Sequence, residues 1–233
     1  MKKEEIEIIF NELLIKNKNR IFKNHIKAKE KQRINEKTHT KMNSKDEFSE
    51  ELVKNEYNLT SEQNQKLEEW TGLHCSDILF DSDVDDWSNP ENFNKKIIEK
   101  QQLTFLIEDE DEELFGYYFD TKILKTYNHY QTDSNSFHFN LQSKNNRLKQ
   151  PMKFKIKDLK EGGIQLYDNS EQWLIAFGDI YLKNFIYKNE SYCYQSENYF
   201  NYNGTENALC GKEPENYGEM YFTPKRILVI QME

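Results

Sequence analysis

From Ile78 onward, apolar and aromatic runs follow one another along the chain, separated by turn-forming residues. The clearest lie at 103–107, 114–119, 137–141, 173–182 and 227–230. Runs rich in β-branched and aromatic residues and bounded by Asn, Asp, Gly and Lys predict the strands of a β-sandwich. Upstream the period is helical. Ile6, Ile9, Phe10, Leu13 and Leu14, then Ile21, Phe22 and Ile26, predict a long amphipathic helix that frays after Ile26. Its apolar stripe is too narrow for a compact domain, so this arm either docks on the body or pairs with a second copy as a short coiled coil. Ser44-Lys45-Asp46-Glu47 and Thr60-Ser61-Glu62-Gln63 both fit a capping box. The second starts a helix through Leu67 and Trp70 that stops near Gly72. Asn89-Pro90 opens another, with Phe93, Ile97 and Ile98 inward. Residues 127–136 read as a polar loop and 187–218 as a Tyr/Asn-rich one. The class is α+β: a mostly β two-sheet sandwich flanked by short helices. The helical arm covers 1–45, a helical linker 46–66, and a sandwich able to fold alone 67–233.

Charge divides the chain. Residues 1–45 carry a net +7 and the remainder a net −16, which sums to the overall −9. A basic arm on an acidic body could anchor nucleic acid through phosphate contacts, although the body would oppose its approach. Lys and Glu interrupt every N-terminal apolar stretch, so no signal peptide is expected, and no segment has the length to span a bilayer. Three cysteines, Cys75, Cys193 and Cys210, have no Cys-x-x-Cys spacing, so neither a disulfide framework nor a zinc site is indicated and buried inert thiols are expected. These features predict a cytoplasmic chain, with a nuclear location the alternative.

Candidate chemistry is thin. Ile78-Leu79-Phe80-Asp81-Ser82-Asp83-Val84 is like the opening of a haloacid-dehalogenase-type phosphatase, an apolar strand running into a nucleophilic and an acid carboxylate. That chemistry also needs a downstream Lys, a further acidic pair and alternating crossover helices, which the chain does not offer. A solvated acidic turn is the simpler expectation, and Asp81→Asn should then be neutral. As a calcium loop the same stretch fails, since Asp86 and Asn92 stand where Gly and Glu are needed. None of the five histidines is spaced i, i+4 from another. His138 alternates with Phe137 and Phe139 and should face away from the core. Gly116 and Gly178 each follow a phenylalanine inside an apolar run, the mark of a bulge or a close backbone approach. For Gly178 this means either φ > 0 or close packing of a neighbouring backbone. No cofactor is expected.

Several patches, in order, resemble the TLDc domain family over residues 67–233. They are Ile78-Leu79-Phe80-Asp81-Ser82-Asp83, Phe115-Gly116-Tyr117-Tyr118, Phe137-His138-Phe139-Asn140-Leu141, and Phe177-Gly178-Asp179-Ile180. Asn207-Ala208-Leu209-Cys210-Gly211, followed by Phe222 and the run at 227–230, completes the series. The chain departs from the family pattern at Tyr117, where a second glycine is usual, at Phe80 for tyrosine, and at Leu228 for a glutamate. The resemblance implies a two-sheet sandwich whose motif positions are Asp81, Phe115, Gly116, Phe139, Phe177, Gly178, Asp179 and Gly211. It also implies a role in oxidative-stress resistance and in binding the vacuolar proton-pumping ATPase, without a settled catalytic activity.

Overall fold

The computed structural model describes residues 57–144, 148–159, 162–168 and 172–233. The expected arm over 1–45, its self-association, the capping box at Ser44 and the start of the linker lie outside the described residues.

Helix α1 (Ser61–Thr71) is set by local chemistry at both ends. Thr60 Oγ1 accepts from the Gln63 N–H, and Gln63 Oε1 accepts from the Thr60 N–H. Gly72 closes the helix at φ +74, a conformation that glycine adopts without strain. Helix α2 (Pro90–Ile97) starts at Asn89, whose side chain accepts from the Glu91 N–H, with Pro90 in the first turn. It buries Phe93 and Ile97, and Phe93 meets Phe80 edge to face at 4.8 Å. Ile98 was expected inward. It ends the helix instead, at ψ 141, and is only half-buried.

Among the described residues, thirteen strands form two antiparallel sheets. They are β1 (Cys75–Asp81), β2 (Leu103–Asp109), β3 (Leu114–Phe119), β4 (Tyr130–Gln131), β5 (Phe137–Gln142), β6 (Met152–Ile156) and β7 (Ile164–Leu166), then β8 (Trp173–Phe177), β9 (Ile180–Lys183), β10 (Ser191–Cys193), β11 (Phe200–Asn201), β12 (Met220–Phe222) and β13 (Pro224–Met232). The first sheet runs β1-β13-β2-β3-β5-β6-β11 and the second β12-β10-β9-β8-β7-β4. The run at 173–182 is not one strand. Phe177 pairs with Ile180, so Gly178-Asp179 is a two-residue hairpin turn between β8 and β9.

The first sheet is covered on both faces. One face meets the second sheet, with Phe105 and Tyr117 stacked on Phe177 at 5.2 and 5.7 Å and Phe115 edge-on to Phe222 at 5.1 Å. The other carries Leu106, Tyr118, Phe137, Phe139, Leu228 and Ile230, closed by Tyr57, Leu59 and Leu67. Covering a sheet on both sides removes the need for alternation, which is why β3 is buried at every position. The second sheet has one open face, and β10 and β12 alternate accordingly.

Candidate interaction surface and the inter-sheet clasp

Four motif positions meet at one place between the sheets. Gly116 on β3 lies beside Phe105 of β2, whose carbonyl oxygen occupies the space a Cβ would need. Its own carbonyl faces His138 Nδ1 at 3.4 Å. His138 points away from Phe137 and Phe139 but into the core between the sheets, which corrects the expectation that it faces away from the core. Both sheet faces are covered, and the imidazole is fully buried. Nε2 accepts the Asp179 N–H at 3.0 Å, which places the ring proton on Nδ1, toward Gly116. Burial pushes its pKa down to about 3, so the ring is neutral.

Gly178 has φ +55, and its Cβ direction is filled by His138 Nε2 and by the Phe200 ring at 2.6 Å. The positive φ is as expected, but the close packing comes from side chains and not from the neighbouring backbone that was expected. The Asp179 carboxylate, almost fully buried, accepts from the Tyr202 hydroxyl at 2.7 Å and the Ser196 N–H at 2.9 Å. Burial, then the Asp179 charge, pushes the Tyr202 phenol well up, so this oxygen keeps its proton. Gly116, His138, Phe177, Gly178 and Asp179 form a clasp joining β3 and β5 of one sheet to the β8–β9 turn of the other. Nothing in single-residue spacing showed that His138 belongs to it.

The remaining motif positions stand elsewhere. Phe115 packs on Phe222, and Phe139 lies near Trp70, their ring centroids 6.4 Å apart, on the opposite face of the first sheet. Gly211, at φ +68, ends a turn with its N–H on the Asn207 carbonyl at 3.2 Å. Asp81 ends β1, which pairs antiparallel with β13, so the parallel sheet of the phosphatase reading is not formed here. Arg226 grips Asp81 with two bonds, Nε to Oδ1 at 3.1 Å and a terminal nitrogen to Oδ2 at 2.8 Å. Asp81, Ser82 and Asp83 are all buried, which corrects the expected solvated turn. Burial works against the Arg226 charge, but Asp81 and then Asp83 outweigh it and raise its pKa. Among the described residues no three His, Cys, Asp or Glu side chains gather as metal ligands would.

What the described surface does present is aromatic. On the open face of the second sheet Tyr192 pairs across β10 with Tyr181 of β9 and Tyr221 of β12. The Tyr181 and Tyr192 rings stack at 4.9 Å, and Tyr221 meets Tyr192 at 5.7 Å. Trp173 continues the row beside Tyr181, with Lys183 Nζ 3.3 Å over its ring. Next to the row, a cleft of about 370 Å³ is lined by Asp179, Tyr194, Gln195, Tyr199 and Tyr217 among others. Tyr217 is 96% exposed. Sequence reading passed over this surface, although the alternation of Tyr181 with Lys183 and of Tyr192 with Tyr194 carries a period of two.

No helix of the described residues is long and apolar enough to cross a membrane. No curated protein matches the chain. The family model described as the TLDc domain matches residues 48–217, most of the sequence. With the two-sheet architecture and the motif clasp in place, the chain belongs to the TLDc domain family.

Proposed function

We propose that this TLDc domain is a non-enzymatic interaction module that binds a protein partner through the aromatic face of its second sheet. Following the family, the partner belongs to the vacuolar proton-pumping ATPase and the physiological role is in resistance to oxidative stress, exercised in the cytoplasm. The row Tyr181, Tyr192 and Tyr221 carries the reading, because rigid amphipathic rings supply contact area at low entropic cost and are enriched at protein interfaces. The groups a hydrolytic mechanism would recruit support it too. Asp81, His138 and Asp179 are committed to Arg226, to Asp179 N–H and to Tyr202.

The test is affinity capture with the full chain, scored for proton-pump subunits, beside a Tyr181→Ser, Tyr192→Ser, Tyr221→Ser variant. Capture by the parent and its loss in a variant that melts normally is expected. Undiminished capture by the variant would move the interface elsewhere, and absence of pump subunits would exclude the named partner. The second reading, a nucleic-acid binder, rests on the +7 carried by residues 1–45. Affinity for duplex DNA that falls steeply with salt and disappears on deleting 1–45 would favour it.

A further inference from the structure

Two of the three cysteines have come together. Cys193 lies in β10 and Cys210 seventeen positions later, at the end of the turn closed by Gly211, and their sulfurs are 3.2 Å apart. Both side chains are buried, and both thiols face the Met220 carbonyl of β12, at 3.9 Å from Cys193 and 3.6 Å from Cys210. No third ligand joins them among the described residues, so the arrangement is a dithiol rather than part of a metal site. Cys75 makes the contrast. It sits on β1 beside Met232, 3.8 Å from its sulfur.

We propose that Cys193 and Cys210 are a redox pair, which peroxide converts to an intramolecular disulfide and a small dithiol reopens. Cys210 is the attacking residue. It is buried, but the chain leaves the core immediately after it at the half-buried Gly211 and Lys212, whereas Cys193 is enclosed between β9 and β12. Burial also disfavours the Cys193 thiolate. In the first step the Cys210 thiolate attacks one peroxide oxygen. The S–O bond forms as the O–O bond breaks, and the departing hydroxide takes up the thiol's proton as water. In the second step the Cys193 sulfur, giving up its proton, attacks the sulfenic sulfur. The S–S bond forms as the S–O bond breaks, and a second water leaves. Two thiols lose two electrons and two protons, and the peroxide is reduced to two waters. Because both sulfurs are covered, the reaction proceeds through local opening of the turn ending at Gly211. The bond would tie that turn to the strand carrying Tyr192. The inference stands on the sulfur geometry and does not depend on the partner reading.

The experiment uses the reduced full chain in its native state. It is exposed to hydrogen peroxide, denatured in the presence of excess N-ethylmaleimide, digested without reductant and mapped by mass spectrometry. A linked peptide joining Cys193 to Cys210, lighter by two hydrogens, is expected, with Cys75 alkylated. Dithiothreitol should restore both thiols, and the oxidised chain should melt several degrees higher because a loop has been closed in the unfolded state. Cys210→Ser should abolish both the link and the shift. Should that variant fail to fold, the wild-type map decides alone. Recovery of Cys193 and Cys210 as free thiols, as separate oxyacids, or in links between chains would overturn the proposal.

Discussion

At Gly178 two requirements coincide, a left-handed φ of +55 and a Cβ direction already occupied by His138 and Phe200. Gly204 shares the first requirement, at φ +71, but nothing lies within 4 Å of its Cβ position. Gly178→Ala should therefore cost about 2–4 kcal/mol, and Gly204→Ala about 1 kcal/mol. Paired thermal melts check this, and equal midpoints would mean that the clasp yields. His138 makes a pH-dependent contribution. An unfolded imidazole titrates near 6.5, while the folded one is held down to about 3. Between those values the unfolded chain binds a proton that the folded chain refuses. The contribution is thus full above pH 6.5 and is lost as pH falls toward 3, at up to about 1.4 kcal/mol per pH unit. His138→Gln should be less stable at pH 7.5 but should lose stability less steeply below pH 6.5, measured by urea unfolding. Identical slopes would remove His138 from the titration. At Asp81 the sequence suggested an indifferent acidic turn. The paired, buried carboxylate reverses that expectation: Asp81→Asn should cost about 1–3 kcal/mol, softened because Asp83 still lies 3.5 Å from Arg226.

Among the elements, α1 illustrates what local chemistry determines. Its reciprocal Thr60–Gln63 cap was legible because the partners are three positions apart, and Thr60→Ala should cost about 1 kcal/mol in a chemical melt. Strands β2, β3 and β5 were legible for a different reason. β3 is an unbroken apolar run because its sheet is covered on both sides, β2 opens on a five-residue run broken only by Thr104, and β5 sets Phe137, Phe139 and Leu141 at a period of two. Strands β6, β7, β10 and β12 were not found, because each is three to five residues long and shows one side to less apolar surroundings. Met152-Lys153-Phe154-Lys155-Ile156 alternates apolar and charged positions over only five residues, and it is held as strand by its neighbours, β5 and β11. The same double cover misled the reading of His138, whose alternation was right while the inference from it failed. The clasp assembles residues up to 63 positions apart, from Gly116 to Asp179, and only sheet pairing brings them together.

For the molecule as a whole, the segment before α1 belongs to the packing. Tyr57 and Leu59 are buried against the first sheet. A chain beginning at residue 67, which lacks these two side chains and also the cap and first six residues of α1, should consequently be less stable than one beginning at residue 52, by about 3 kcal/mol or more. Urea midpoints of the two fragments test this, and coincident curves would show that the sheet closes without them. The last strand has a different consequence. β13, formed by residues 224–232, lies between β1 and β2 and contributes Leu228 and Ile230 to one face of the first sheet. During translation, a ribosome that has added everything up to Phe222 has made twelve of the thirteen described strands, yet β1 has nothing to pair with and the first sheet is split. Folding of this domain must wait for its own completion. The nascent chain spends its synthesis with aromatic strands uncovered, in the care of whatever holds unfinished polypeptides soluble.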